Sequence, residues 1–200
     1  MKILYVKANS ERAREFQLKT IVYEIDGQKY VKKEAMLPEA IPHLKKMKST
    51  YTSINKSIQN PQIKLAKIID ESENSLTFEF IEGTSLASKY NAAKKRNKEQ
   101  SVIDTYYTLL HEGFKTTTFD VQTMVTEDFK HTLGDFDYTS CNKKLCFDGI
   151  SNIDLIFSNI IFKDEHIYLI DYEWVYDFNI PIDFAIFRAL HAHNDLHWKM

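Results

Sequence analysis

Asn152-Ile153-Asp154-Leu155-Ile156-Phe157-Ser158-Asn159-Ile160-Ile161-Phe162, followed after a short turn by His166-Ile167-Tyr168-Leu169-Ile170-Asp171-Tyr172-Glu173, is the stretch on which the fold turns. Two apolar runs, Ile160 to Phe162 and His166 to Ile170, bracket Lys163-Asp164-Glu165 and predict a β-hairpin. Its ends carry polar residues. An Asp, an Asn five residues later and a second Asp closing the following strand are the groups that metal-dependent phosphoryl transfer needs. An ionised Asp154 can orient an attacking hydroxyl and take its proton, while Asn159 and Asp171 offer oxygens to Mg2+, a hard cation that bridges phosphates. Apolar neighbours on both sides hold such groups in fixed geometry and at lower dielectric. The competing reading makes Asp154, Asn159 and Asp171 ordinary turn residues, as Asx types commonly are.

Working outward, Gln17 to Ile25 and Gln28 to Lys33 are strand-forming runs joined by Asp26-Gly27, a strong hairpin signal. Pro38 to Met47 places Ile41, Leu44 and Met47 at helical spacing behind an early proline and predicts a short helix. Gln62 to Ile69 and Ser75 to Ile81 read as two further strands around the acidic turn Asp70 to Asn74. From Glu82-Gly83-Thr84-Ser85 the pattern becomes helical. A polar helix carries Lys94-Lys95-Arg96-Asn97-Lys98, and Val102 to His111 puts Val102, Ile103, Tyr106, Leu109 and Leu110 on one face. A loop-rich middle leads to the hairpin, and a last helix spans about Pro181 to His191. The expected class is α+β, with a sheet-rich part over 1–83 and a mainly helical part over 84–200.

At these residues the chain resembles the protein-kinase-like superfamily, in particular its small-molecule branch. Aminoglycoside phosphotransferases carry H-G-D-L-x-x-x-N with I-D-x-D/E, and choline/ethanolamine kinases carry H-N-D-x-x-x-x-N with I-D-F-E-Y; Ile170-Asp171-Tyr172-Glu173-Trp174 is similar to the second motif of each. Tyr176 to Ala185 resembles the segment that introduces a helix of the C-terminal lobe. Glu15-Phe16-Gln17-Leu18-Lys19-Thr20 is similar to the entry of kinase-like domains attached to enzymes of bacterial surface-polysaccharide synthesis. The resemblance implies a two-lobed fold that binds ATP with Mg2+ (or Mn2+) and phosphorylates a hydroxyl of a small molecule or saccharide. It implies Asp154 as base, Asn159 and Asp171 as metal ligands, Glu173 as an extra ligand or supporting acid, and Lys33 as phosphate clamp. Glu39 would orient that lysine, and Phe78 to Gly83 would be the hinge strand. Lys33 is preferred to Lys32 because alternation sets it on one face with Val31, which would line the adenine pocket. The first hairpin would cover the nucleotide.

Two departures qualify the match. Asn152 stands where the motif has His, and the flap has no glycine but Gly27, so phosphate contacts would fall to Ser10, Arg12 and Arg14. They keep open a catalytically silent nucleotide-binding or scaffold module that serves a polysaccharide-assembly partner protein.

Composition removes other classes. Only 5 glycines occur, where an average chain of this length carries about 14, and none are spaced for a G-x-G-x-x-G or G-x-x-x-x-G-K-[ST] loop. A G-x-S-x-G nucleophile elbow is absent as well. The net charge of −2 offers no general attraction to nucleic acid, yet residues 1–100 hold 19 Lys+Arg against 12 Asp+Glu and residues 101–200 hold 7 against 16. A basic half and an acidic half suit phosphates on one side and cations on the other. No apolar run approaches the ~18 residues of a membrane span, and the expected location is cytoplasmic. Cys141 with Cys146, and His193 with His197 near Asp195, are incomplete zinc sets, better read as ordinary thiols and a polar C-terminus; Trp174 and Trp198 read as packing residues.

Overall fold

The computed structural model describes residues 1–135, 137 and 142–193; Cys141, Asp195, His197 and Trp198 therefore lie outside the described residues. The chain forms two compact units, Met1–Thr52 with Leu65–Glu82, and Ser53–Lys64 with Gly83–Met200.

The first unit is built on strands β1 (Lys2–Ala8), β2 (Leu18–Ile25) and β3 (Gln28–Ala35), most of helix α1 (Ile41–Ser57) and, after strand β4 (Ile63–Leu65), which falls mainly in the second unit, strands β5 (Ile68–Ser72) and β6 (Ser75–Glu79). Its five-stranded antiparallel sheet has the order β1-β2-β3-β6-β5. The β2–β3 hairpin forms as its turn chemistry demands: Asp26 and Gly27 both take left-handed backbone, φ 51 and 81, which matches the twist of the flanking strands. β1 is an edge strand that sequence reading does not find. Ile3, Leu4, Tyr5 and Val6 are all more than 40% exposed, so no buried face imposes an alternation by which to recognise it. The strand expected over 62–69 divides into β4 and β5, and the Lys67 and Glu79 backbones bond at the start of β5. The helix runs past Met47 to Ser57 because Ile54 continues the buried stripe of Leu44 and Met47.

The second unit comprises β7 (Thr84–Ser85), α2 (Leu86–Lys94), α3 (Glu99–Gly113), β8 (Thr116–Phe119), α4 (Val121–Met124) and α5 (Glu127–Leu133), followed by β9 (Lys144–Phe147), β10 (Ser151–Asn152), β11 (Ile160–Lys163), β12 (His166–Leu169), β13 (Val175–Tyr176) and α6 (Ile182–His193). The expected β11–β12 hairpin is present, with Asp164 left-handed at φ 53 in its turn. The loop-rich middle contains a β8–β9 ladder beside a small core of Val121, Met124, Phe129 and Cys146. β7 pairs with β11 so closely that a Cβ on Gly83 would lie 2.5 Å from the Phe162 carbonyl oxygen. Glycine is thus required there by space. Tyr106, fully buried on α3, donates its hydroxyl to the Leu155 carbonyl at 2.7 Å and ties that helix to the segment that holds Asp154. No helix among the described residues is long and apolar enough to cross a membrane.

Candidate functional site

In the first unit, register decides which lysine is enclosed. Lys33 lies between Thr20 of β2 and Leu76 of β6, and Val31, two residues earlier, lies between Val22 and Phe78. Residues paired across a ladder share a face, so Val31, Lys33, Leu76 and Phe78 form one surface. Lys33 is only 4% exposed, whereas Lys32, on the opposite face, keeps about a third of its side chain exposed and sits 3.4 Å from Glu34. Glu34 also pairs with Lys19 at 2.9 Å, and these cations hold its carboxyl below the usual range. Glu39, expected to orient Lys33, is ion-paired with Arg14 at 2.8 Å. It lies in the one-turn segment Pro38–Ala40, where Ala40 takes the buried position and leaves the Glu39 carboxylate exposed. Before β2, Gln17 donates from Nε2 to the carbonyls of Ser10 and Arg12, so the glycine-free loop is tied by its own side chain.

In the second unit, the two polar segments are bonded to one another along their backbones. β10 pairs with β13, and the Ile153 amide donates to the Trp174 carbonyl at 3.0 Å. Within the first segment, Asn159 Nδ2 donates to the Asp154 carbonyl at 3.1 Å, and the Asn159 carbonyl accepts from the Ile170 amide at 2.9 Å. Asp154, Asn159 and the start of the Asp171 loop are thereby linked. Asp171 is exposed and left-handed at φ 55, a conformation that turns the chain sharply out of β12. Asn152, at the place of the motif His, accepts the Asp154 amide on Oδ1 at 2.9 Å.

Asp154 itself is 6% exposed and heavily bonded. Its Oδ2 accepts from the amides of Glu173 at 2.9 Å and Trp174 at 2.7 Å, and its Oδ1 lies 3.3 Å from an Arg188 guanidinium nitrogen. Burial, reinforced by the negative charge of Asp171, pushes its carboxyl up to about 6, against the opposing pull of the Trp174 amide and Arg188. Folding then raises this group from its ordinary 3.8, so between about pH 4 and 6 the native state binds the extra proton. Stability from this residue is present at the acid end and is lost as pH rises through 6, by on the order of 2–3 kcal/mol. Glu34 and Glu39, whose carboxyls are held low, contribute in the opposite sense. The expected result is therefore a difference: urea unfolding in EDTA should show Asp154→Asn gaining stability relative to wild type between pH 4 and 6.5. Equal pH slopes for the two proteins would refute it.

Among the described residues no group of three or more His, Cys, Asp or Glu is placed to hold a metal ion. Of the zinc candidates, Cys146 is fully buried against the Met124 sulfur, with its thiol pushed up to about 11 by burial, and His193 packs on Tyr90 with Nε2 at 3.1 Å from Asn91. Sequence reasoning missed Arg188. The sequence signal was slight, a charged residue three positions after the buried Ala185 on α6.

No family model matches the sequence, and no curated protein does. Solved structures are similar to it. The aminoglycoside phosphotransferase APH(2'')-Ib with ADP bound is 14% identical over 90% of this chain and 68% of that one, with a TM-score of 0.51. The streptomycin-ATP-APH(2'')-IIa ternary complex is 14% identical over 90% of this chain and 69% of that one, with a TM-score of 0.52. The likeness shows for this chain the same α+β, protein-kinase-like fold.

Proposed function

We propose, from the protein-kinase-like fold, that this chain is an ATP- and Mg2+-dependent phosphotransferase whose acceptor is a hydroxyl of a small molecule or saccharide. The observation that carries the proposal is the linkage of Asp154, Asn159 and the Asp171 loop through the Asn159 side chain and carbonyl. Residues 1–83 would cover the nucleotide and 84–200 would hold the catalytic and cation-binding loops. Lys33 is the proposed phosphate clamp, and Val31 lines the adenine pocket. Asn159 and Asp171, with Glu173 in support, would hold the cation, which neutralises phosphate charge when bound. Asp154, with its carboxyl near 6, is poised to accept a hydroxyl proton close to neutral pH. A glycan of bacterial surface-polysaccharide synthesis is the proposed acceptor class, with a protein of that assembly as partner.

A second reading is favoured by one observation. Both Asp154 oxygens already accept hydrogen bonds, as in a group whose task is to hold two loops together, which is what a silent nucleotide-binding module requires. The first test precedes the distinction. ATP at millimolar concentration should raise the melting temperature in the presence of Mg2+ or Mn2+ and not in EDTA, because a ligand of the native state stabilises it by mass action. Absence of any shift with either metal rejects both readings.

A further inference from the structure

The peptide unit between Ile153 and Asp154 is held by side chains at both of its polar groups. Its carbonyl accepts from Arg188 Nε at 2.8 Å, and its N–H donates to Asn152 Oδ1 at 2.9 Å. Arg188 then reaches with its second nitrogen to Asp154 Oδ1, at 3.3 Å. A single guanidinium fork therefore spans the carbonyl just before Asp154 and the Asp154 carboxylate, and the other carboxylate oxygen carries the Glu173 and Trp174 amides. Rotation of the peptide plane breaks two hydrogen bonds, and rotation of the side chain breaks three. Asp154 is 6% exposed, so water does not replace them. The planar, fixed fork is what lysine lacks.

We infer that Arg188 is a positioning residue: from α6 it locks the Ile153–Asp154 peptide plane and the Asp154 carboxylate, and through that carboxylate it orders the Glu173–Trp174 turn beside Asp171. Asn152 holds the other side of the same peptide unit. The inference rests on the phosphotransferase reading for its effect on turnover, and on geometry alone for its effect on the loops.

Arg188→Met and Arg188→Lys test it with two readouts. Amide hydrogen exchange on the intact, ligand-free protein should show the Asp154, Glu173 and Trp174 amides exchanging at least tenfold faster in Arg188→Met. The Phe162 and Ile167 amides of the β11–β12 hairpin should be unchanged, and Arg188→Lys should fall between. A uniform increase across the second unit, or none at the three amides, overturns the inference. Where wild type consumes ATP with Mg2+, Arg188→Met should lower kcat tenfold to a hundredfold with KM for ATP within threefold, and Arg188→Lys should recover part of it. An unchanged kcat beside wild-type turnover also overturns it. Wild type without turnover, together with the local exchange pattern, rejects the phosphotransferase reading and upholds the role of Arg188 in ordering the loops.

Discussion

Asp154→Asn should lower Mg2+-dependent ATP turnover by about 10² or more while changing ATP affinity less than threefold. The amide is nearly the size of the carboxylate and keeps one oxygen for the Glu173 and Trp174 amides, so the loops stay joined. It cannot accept the hydroxyl proton. Asp171→Ala should act on the other step and abolish the metal dependence of ATP binding, because it removes the only carboxylate of the proposed Asn159–Asp171 oxygen pair. Turnover with a panel of sugars, amino alcohols and glycans, beside calorimetry with and without Mg2+, measures both. If Asp154→Asn equals wild type in every assay, Asp154 is an architectural residue and the silent-module reading holds.

Lys33→Met should weaken ATP binding tenfold to a hundredfold, and Lys32→Met should change it little. A charge-assisted contact to phosphate oxygens is worth about 1.5–3 kcal/mol, and each 1.4 kcal/mol is about tenfold in affinity. The enclosed lysine shares its face with Val31, Leu76 and Phe78, whereas Lys32 belongs to the half-buried ion-pair cluster with Lys19 and Glu34. Calorimetric titration of both variants with Mg-ATP decides it. The reverse order of affinities would place the nucleotide on the other face of β3.

What could be read in advance was what local chemistry fixes. Asp26-Gly27 sets the first hairpin by backbone conformation, and strict alternation separates Lys33 from Lys32 once that hairpin is granted. The order Asp154, Asn159, Asp171 around a hairpin is a linear pattern and survives without any knowledge of tertiary contacts. β1 does not, because a strand exposed on both faces has no hydrophobic period. The reach of α1 to Ser57 and the break between β4 and β5 depend on what packs against them. The ion pair of Glu39 with Arg14 could not be read in advance, because it joins a one-turn segment before α1 to a loop twenty-five positions earlier. Arg188 was missed because an arginine within Ile182–His193 reads as the polar side of an amphipathic helix. Only its bonds to Ile153 and Asp154, more than thirty positions earlier, reveal it.

The left-handed backbone at Asp171 sets this protein's durability against its chemistry. At φ 55 a glycine is relaxed, whereas a residue with a Cβ carries strain of about 1 kcal/mol. Directed evolution for heat resistance alone would therefore be drawn toward glycine at this position, and each such winner would have discarded the carboxylate proposed to meet the cation. Selection for thermostability in this chain has to be paired with a nucleotide-binding screen, since at Asp171 the two criteria reward opposite residues.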